Sequence, residues 1–169
     1  MRTLITYQDI SLLARPCTTD EDMAMAMIAE AQRVELKPRL GDALYIQLMA
    51  ETPDERFDTL LNGGIWTDGC GEHLLTGLKT ALAYYALARI TRDGNIQETR
   101  YGSVVKDDQY SADPEKAERQ RQYRELFSQA DSYMAEALNY LAQNRQTFPE
   151  YKTCAKMRSN RMTIRTIGK

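Results

Sequence analysis

From the N-terminus, apolar positions recur at three- and four-residue spacing between short polar breaks, the pattern of amphipathic helices. A short helix is predicted around Tyr7 to Leu13, broken by Pro16. Thr18-Thr19-Asp20 offers oxygens that accept the free N–H groups of a helix start. Met23, Met27, Ile28, Ala31 and Val34 then form one buried stripe on a helix from about Glu21 to Lys37. Pro38 should end or kink it, with Leu40, Leu44, Ile46 and Leu48 carrying a second helical piece to about Ala50. Thr52-Pro53-Asp54-Glu55 has a capping hydroxyl, a proline at the first helical position and a following carboxylate, the capping-box arrangement. The short helix it opens stops at Asn62-Gly63-Gly64, where glycine takes the left-handed conformation that closes a helix.

Ile65 to Gly71 is glycine-rich, with Asp68-Gly69 as a turn signal, and predicts a loop or small hairpin. Leu74 to Ile90 includes the run Ala81 to Ala88, apolar on nearly every face, which predicts a central helix surrounded by others and ended by Asp93-Gly94. Ile96 to Ala112 has no helical period, yet Tyr101, Val104, Val105 and Tyr110 are β-formers among glycine and polar residues, so an extended loop or hairpin is expected. A connection this long is usually a binding element or disordered, and Tyr101, Val104, Val105, Lys106 and Tyr110 are the candidate assembly residues within it. Asp113-Pro114-Glu115 starts a long helix to about Asn144, with Tyr123, Leu126, Phe127, Ala130, Tyr133, Met134, Ala137, Leu138 and Leu141 on one stripe. Its first two turns, Glu115 to Gln122, have almost nothing to bury and either project into solvent, the favoured reading, or meet a polar partner. Phe148-Pro149 marks the exit. In the segment beyond it, Met162, Ile164 and Ile167 are spaced loosely like a strand.

The 169 residues are the size of one domain, and 43% apolar with 27% charged residues is an ordinary globular mix, which excludes collagen-like, wholly disordered and membrane-spanning classes. No apolar run approaches the about 18 residues a membrane helix needs. Asp9 and Arg15 interrupt the N-terminal apolar stretch and no small-residue cleavage site follows, so a signal peptide is not expected. Cys17, Cys70 and Cys154 cannot all pair within one chain and none lies in a CxxC spacing, the pattern of reduced thiols in a cytosolic protein. The formal charge of −2 hides an asymmetry: residues 1–150 hold 16 basic and all 24 acidic residues, whereas 151–169 hold six basic residues and no acidic one. The expected organisation is mainly α: a single-domain bundle of four to five helices over 1–150, with a long loop or small β-hairpin, and an extended basic C-terminal tail over 151–169.

Candidate chemistry is sparse. The single histidine, His73, lies beside Glu72 and three residues after Cys70, and reads as a residue at the N-terminus of the central helix; one thiol and one imidazole fall short of the about four ligands of a zinc site. A di-iron bundle needs two Glu-x-x-His motifs, which one histidine cannot supply. Cys70 near His73 is the best candidate for an activated thiol, but flanking Gly69 and Gly71 more often only permit a turn. The glycines do not form a phosphate cradle, since no GK[ST] follows them. Asp20-Glu21-Asp22 and Asp107-Asp108 are explained by helix-start compensation and solvation. No enzyme, cofactor, metal or small-molecule substrate is expected. The tail residues Lys152, Lys156, Arg158, Arg161, Arg165 and Lys169 are the remaining candidate contacts, able to neutralise phosphates on DNA or to dock on the acidic body of a neighbouring copy. With only Tyr151 aromatic, the tail lacks the stacking residues of single-strand binders.

Several stretches together resemble a known family: Leu40-Gly41-Asp42-Ala43-Leu44-Tyr45, Leu60-Leu61-Asn62-Gly63-Gly64, Gly77-Leu78-Lys79-Thr80-Ala81-Leu82-Ala83-Tyr84-Tyr85-Ala86, Tyr101-Gly102-Ser103-Val104-Val105-Lys106 and Phe148-Pro149-Glu150-Tyr151. They are similar to small helical proteins of phages and prophages laid out like head–tail connector (head-completion, adaptor) proteins. The resemblance covers about Ala31 to Tyr151, and its motifs are structural. It implies a helical protomer that assembles into a ring beneath the portal, meets portal and tail proteins, and lines or extends a channel through which DNA passes; the composition already argues against a membrane partner. Its place would be the host cytoplasm during assembly and then the virion head–tail junction. The alternative expectation is a nucleic-acid-binding or regulatory helical protein that uses the basic tail.

Overall fold

The computed structural model describes residues 2–52, 54–93 and 116–151, together with the backbone of 96–99 and 102–105. Helix α1 (Tyr7–Leu13) starts at Thr6, whose backbone N–H and hydroxyl both donate to the Asp9 carboxylate, at 2.7 and 2.9 Å. Helix α2 (Glu21–Ala31) is capped by Asp20, which accepts the Met23 N–H at 3.2 Å, while Glu21 and Asp22 complement the positive end of the helix dipole.

Beyond Ala31 the helix does not end at Lys37. It passes through a π turn (Gln32–Leu36) into α3 (Lys37–Leu40), with helical backbone angles at both junctions. Pro38 neither stops nor breaks this segment, because the π turn restarts the α-helical ladder just before it. The proline therefore falls in a first turn, where its missing N–H is not needed. The extra residue in the turn also rotates the face that follows. Val34, expected in the stripe, is 53% exposed, and Gln32, Glu35 and Leu36 point inward instead.

Gly41, with φ +82°, separates α3 from α4 (Asp42–Leu48), where Leu44 and Leu48 are buried but Ile46 is 69% exposed: i and i+4 share a face and i+2 does not. The expected capping box at Thr52 does not form. Helix α5 (Phe57–Asn62) begins later, from a turn in which the Asp54 side chain accepts the Arg56 N–H and its carbonyl the Phe57 N–H; Pro53 lies outside the described residues.

Strands β1 (Gly64–Asp68) and β2 (Gly71–Leu75) form the hairpin allowed for at this point, pairing Ile65 with Leu74 and Trp66 with His73. Leu74 and Leu75 therefore belong to a strand, and helix α6 (Leu78–Asp93) starts four residues later than its apolar run indicates; His73 is a strand residue and not a helix N-terminal one. Eleven of the sixteen residues of α6 are buried, which makes it the central helix. Its most extensive neighbour is α7 (Lys116–Gln143), followed by α2 and α1. Leu78, Leu82 and Tyr85 of α6 and Ala130 and Met134 of α7 are buried, whereas Phe127 and Leu138 pack at the edge of the core, half-buried. Ring contacts Tyr85–Phe127 (5.0 Å) and Tyr84–Tyr133 (5.2 Å) join the two helices.

Between α6 and α7, β3 (Ile96–Thr99) and β4 (Gly102–Val105) pair antiparallel as a second hairpin. After α7 the chain turns at Asn144 and returns Phe148 and Tyr151 to the core. The architecture is a mainly helical domain carrying small two-stranded hairpins.

Candidate functional site

The β1–β2 hairpin is held at its base by two glycines. A Cβ on Gly63 would stand 2.5 Å from the Leu75 carbonyl oxygen, and one on Gly77 would stand 2.6 Å from the Gly63 nitrogen; both have positive φ, +84° and +101°. The strands therefore enter and leave through a backbone crossing that no side chain fits. Two further ties fix it to the body: Thr76 donates its N–H and hydroxyl to Glu136 of α7 (3.2 and 2.8 Å), and Lys79 donates to Asn62 (2.8 Å).

At the tip, Asp68 accepts the N–H groups of Cys70 (2.7 Å) and Gly71 (3.1 Å) and lies 3.0 Å from His73 Nε2. The Cys70 N–H above all, then His73, holds this carboxyl below the usual carboxylate range. His73 is thus engaged by a carboxylate and stacks on Trp66, ring centroids 4.7 Å apart. Trp66 in turn meets Tyr140 of α7 edge-on at 5.4 Å. Because side chains alternate along a strand, the opposite face carries Ile65 and Thr67 facing their partners Leu74 and Glu72. Ile65 is 71% and Leu74 75% exposed, so a directly paired isoleucine and leucine point to solvent from an anchored support.

Two polar networks stiffen the body beneath. The π turn brings Glu35 inside, where Arg89 of α6 bonds it at 2.6 Å and also reaches Glu30 at 2.5 Å; Arg89 and Glu35 are both more than nine-tenths buried. Gln32 beside it accepts the Leu4 N–H at 2.6 Å and donates to the Arg2 carbonyl, tying the N-terminal segment to the same turn. One turn back on α6, the Tyr85 hydroxyl donates to Asp131 at 2.5 Å and receives a bond from Arg39. Burial first, then the bond to Asp131, drives that phenol well above the usual tyrosine range. At the other end Arg56 lies over Phe57 and Phe148 and bonds Gln47, the Thr147 carbonyl and both oxygens of Glu150. This guanidinium holds the Glu150 carboxyl below the ordinary glutamate range.

Of the residues singled out in the sequence, Val104 and Val105 fall on β4, paired with Gln97 and Ile96. Tyr101, Lys106 and Tyr110 lie outside the described residues, as do Lys152, Lys156, Arg158, Arg161, Arg165 and Lys169. Among the described residues no three His, Cys, Asp or Glu side chains group to hold a metal ion, and no helix is long and apolar enough to cross a membrane. The outward Ile65–Leu74 pair escaped sequence reasoning. Its signal was present, since Ile65-Trp66-Thr67 and His73-Leu74 alternate, but Leu74 also continues the helical apolar run.

A family model described as "Family of unknown function (DUF6712)" matches residues 36–161, most of the chain. No curated protein and no solved structure matches.

Proposed function

This chain belongs to DUF6712, a family of unknown function, and we propose that it is a non-enzymatic structural protein of a phage or prophage head–tail connector that assembles as a ring adaptor beneath the portal. The observation that carries the reading is the anchored hairpin with its outward apolar pair, since Ile65 and Leu74 stand directly opposite each other on a support fixed to the body, a surface suited to a partner. Ring subunits meet head-to-tail through two different patches, and a domain with one preorganised apolar patch and a strongly basic terminal segment has two dissimilar surfaces to offer. The stretches that resemble connector proteins support it further, for they coincide with joints of the fold: the break at Gly41, the Gly63–Gly77 crossing and the return of Phe148 to the core. An acidic body also lets DNA pass a channel without sticking, by like-charge repulsion.

The test is co-expression of the full chain with the portal protein that this reading assigns to it as a partner. A ring-shaped complex containing both is expected, at the head–tail junction of assembled particles. A chain that stays monomeric and never joins the portal overturns the reading. The six uncompensated charges of residues 151–169 favour one rival, a nucleic-acid-binding helical protein. That reading gains if the same monomeric chain binds DNA tightly and in a salt-sensitive way.

A further inference from the structure

Resting on the ring reading above, we propose that the outward face of the β1–β2 hairpin is the seat for the C-terminal segment, residues 152–169, of a second copy of this chain. The seat is Ile65 and Leu74 with Thr67 and Glu72 beside them, four exposed side chains on one face of one hairpin. Size limits the occupant. Two apolar side chains offer a patch on the order of 300 Å², well below the about 1,200 Å² of a stable free-standing interface. Such a seat suits a short segment delivered many times over, as when each copy in a closed ring donates to the next.

Chemistry identifies the segment. An occupant of this face must be apolar over Ile65 and Leu74 and basic beside Glu72, on a body whose residues 1–150 carry eight more acidic than basic groups. Residues 152–169 have that composition: six basic residues, no acidic one, and Met162 and Ile164 two apart, the spacing that places two side chains on one face of an extended segment. Arg161 and Arg165 flank that pair. Reach is sufficient. Phe148 meets Tyr140 at 5.8 Å and Tyr140 meets Trp66 at 5.4 Å, so the chain leaves the core close to its own hairpin and on the Trp66 side of it, away from Ile65 and Leu74. From Tyr151 to Met162 an extended chain spans about 35 Å, comparable to the width of a domain this size.

The experiment uses the full chain, mixed from isotopically heavy and light batches, with a photo-crosslinking amino acid in place of Leu74, alongside sedimentation over a concentration series. Expected are heavy-to-light crosslinks from position 74 to residues 152–169, appearing as the oligomer forms. Ile65→Asp with Leu74→Asp, or Met162→Asp with Ile164→Asp, should each weaken self-association at least about tenfold. The second pair alters no residue of the described fold and so guards against a folding defect in the first. Crosslinks confined to chains of one label, crosslinks to another segment, or a chain monomeric at its highest soluble concentration would each overturn the proposal. An oligomer or portal complex untouched by both pairs also overturns this contact while leaving the ring reading standing, so the two failures are distinguishable.

Discussion

At Gly63 and Gly77 two stretches of backbone cross within the space of one methyl group, and both residues sit at positive φ. Gly77→Ala meets both obstacles, and the atoms it would strike are backbone, which cannot swing aside. We expect a loss of at least about 2 kcal/mol by urea unfolding; a loss below about half a kcal/mol, the range of surface changes, shows that the crossing is not tight. Arg56 acts by charge. Glu150's carboxyl titrates lower in the folded protein than in the unfolded chain, so its contribution is complete above the ordinary glutamate range and disappears as pH falls through the lowered folded value. Arg56→Met should therefore cost about 2 kcal/mol near neutral pH. The gap to the parent should narrow as pH falls into and below the ordinary glutamate range of about 4, and melting curves taken from neutral pH downward check the sign. Neither role is legible in the sequence: Asn62-Gly63-Gly64 marks a helix stop, as the structure has it, but that Gly77 faces Gly63, or that Arg56 reaches Glu150, depends on contacts between segments distant along the chain.

Elements with one strong periodicity were legible, and those where two rules compete were not. Helix α7 follows from the spacing of its apolar stripe, and the burial of α6 from a run that is apolar on nearly every face. The start of α6 differs from its apolar run because Leu74 and Leu75 satisfy a helical run and a strand equally, and the Asp68 turn and the Trp66–Tyr140 contact favour the hairpin. Val34 leaves the stripe because a π turn is invisible to a 3.6-residue period. That turn has an energetic signature. Arg89→Leu leaves the buried Glu35 carboxyl without its partner, which should cost about 3–5 kcal/mol, while adding Glu35→Leu should recover most of the loss. A double variant as unstable as the single one would mean that packing around Arg89, and not its charge, holds the two helices. For the α6–α7 pair the matching expectation is that Leu82→Ala costs about 2–5 kcal/mol in thermal melts, since Leu82 is fully buried in the central helix.

For the whole molecule the argument turns on charge and on what the core already contains. Among the described residues the buried cluster runs from Leu4 to Tyr151, with Phe148 packed against Phe57 and Tyr140 at its far end. Deleting Thr153 to Lys169 removes five of the six basic residues of that segment and should shift the melting temperature by less than about 2–4 °C, the change that about 1 kcal/mol produces at this size. Under the connector reading the truncated chain folds normally but is not incorporated into particles, because its donor segment is missing while the hairpin seat remains. Under the nucleic-acid reading the same deletion abolishes DNA binding. The intact chain would then lose affinity with salt at a log–log slope approaching about −5 if all six charges meet phosphates on duplex DNA. Sedimentation, particle incorporation and electrophoretic shift on the intact and truncated chains separate the two. A truncated chain that still enters particles would remove the tail from assembly and leave the hairpins and the polar first half of α7 as the surfaces that a ring must use.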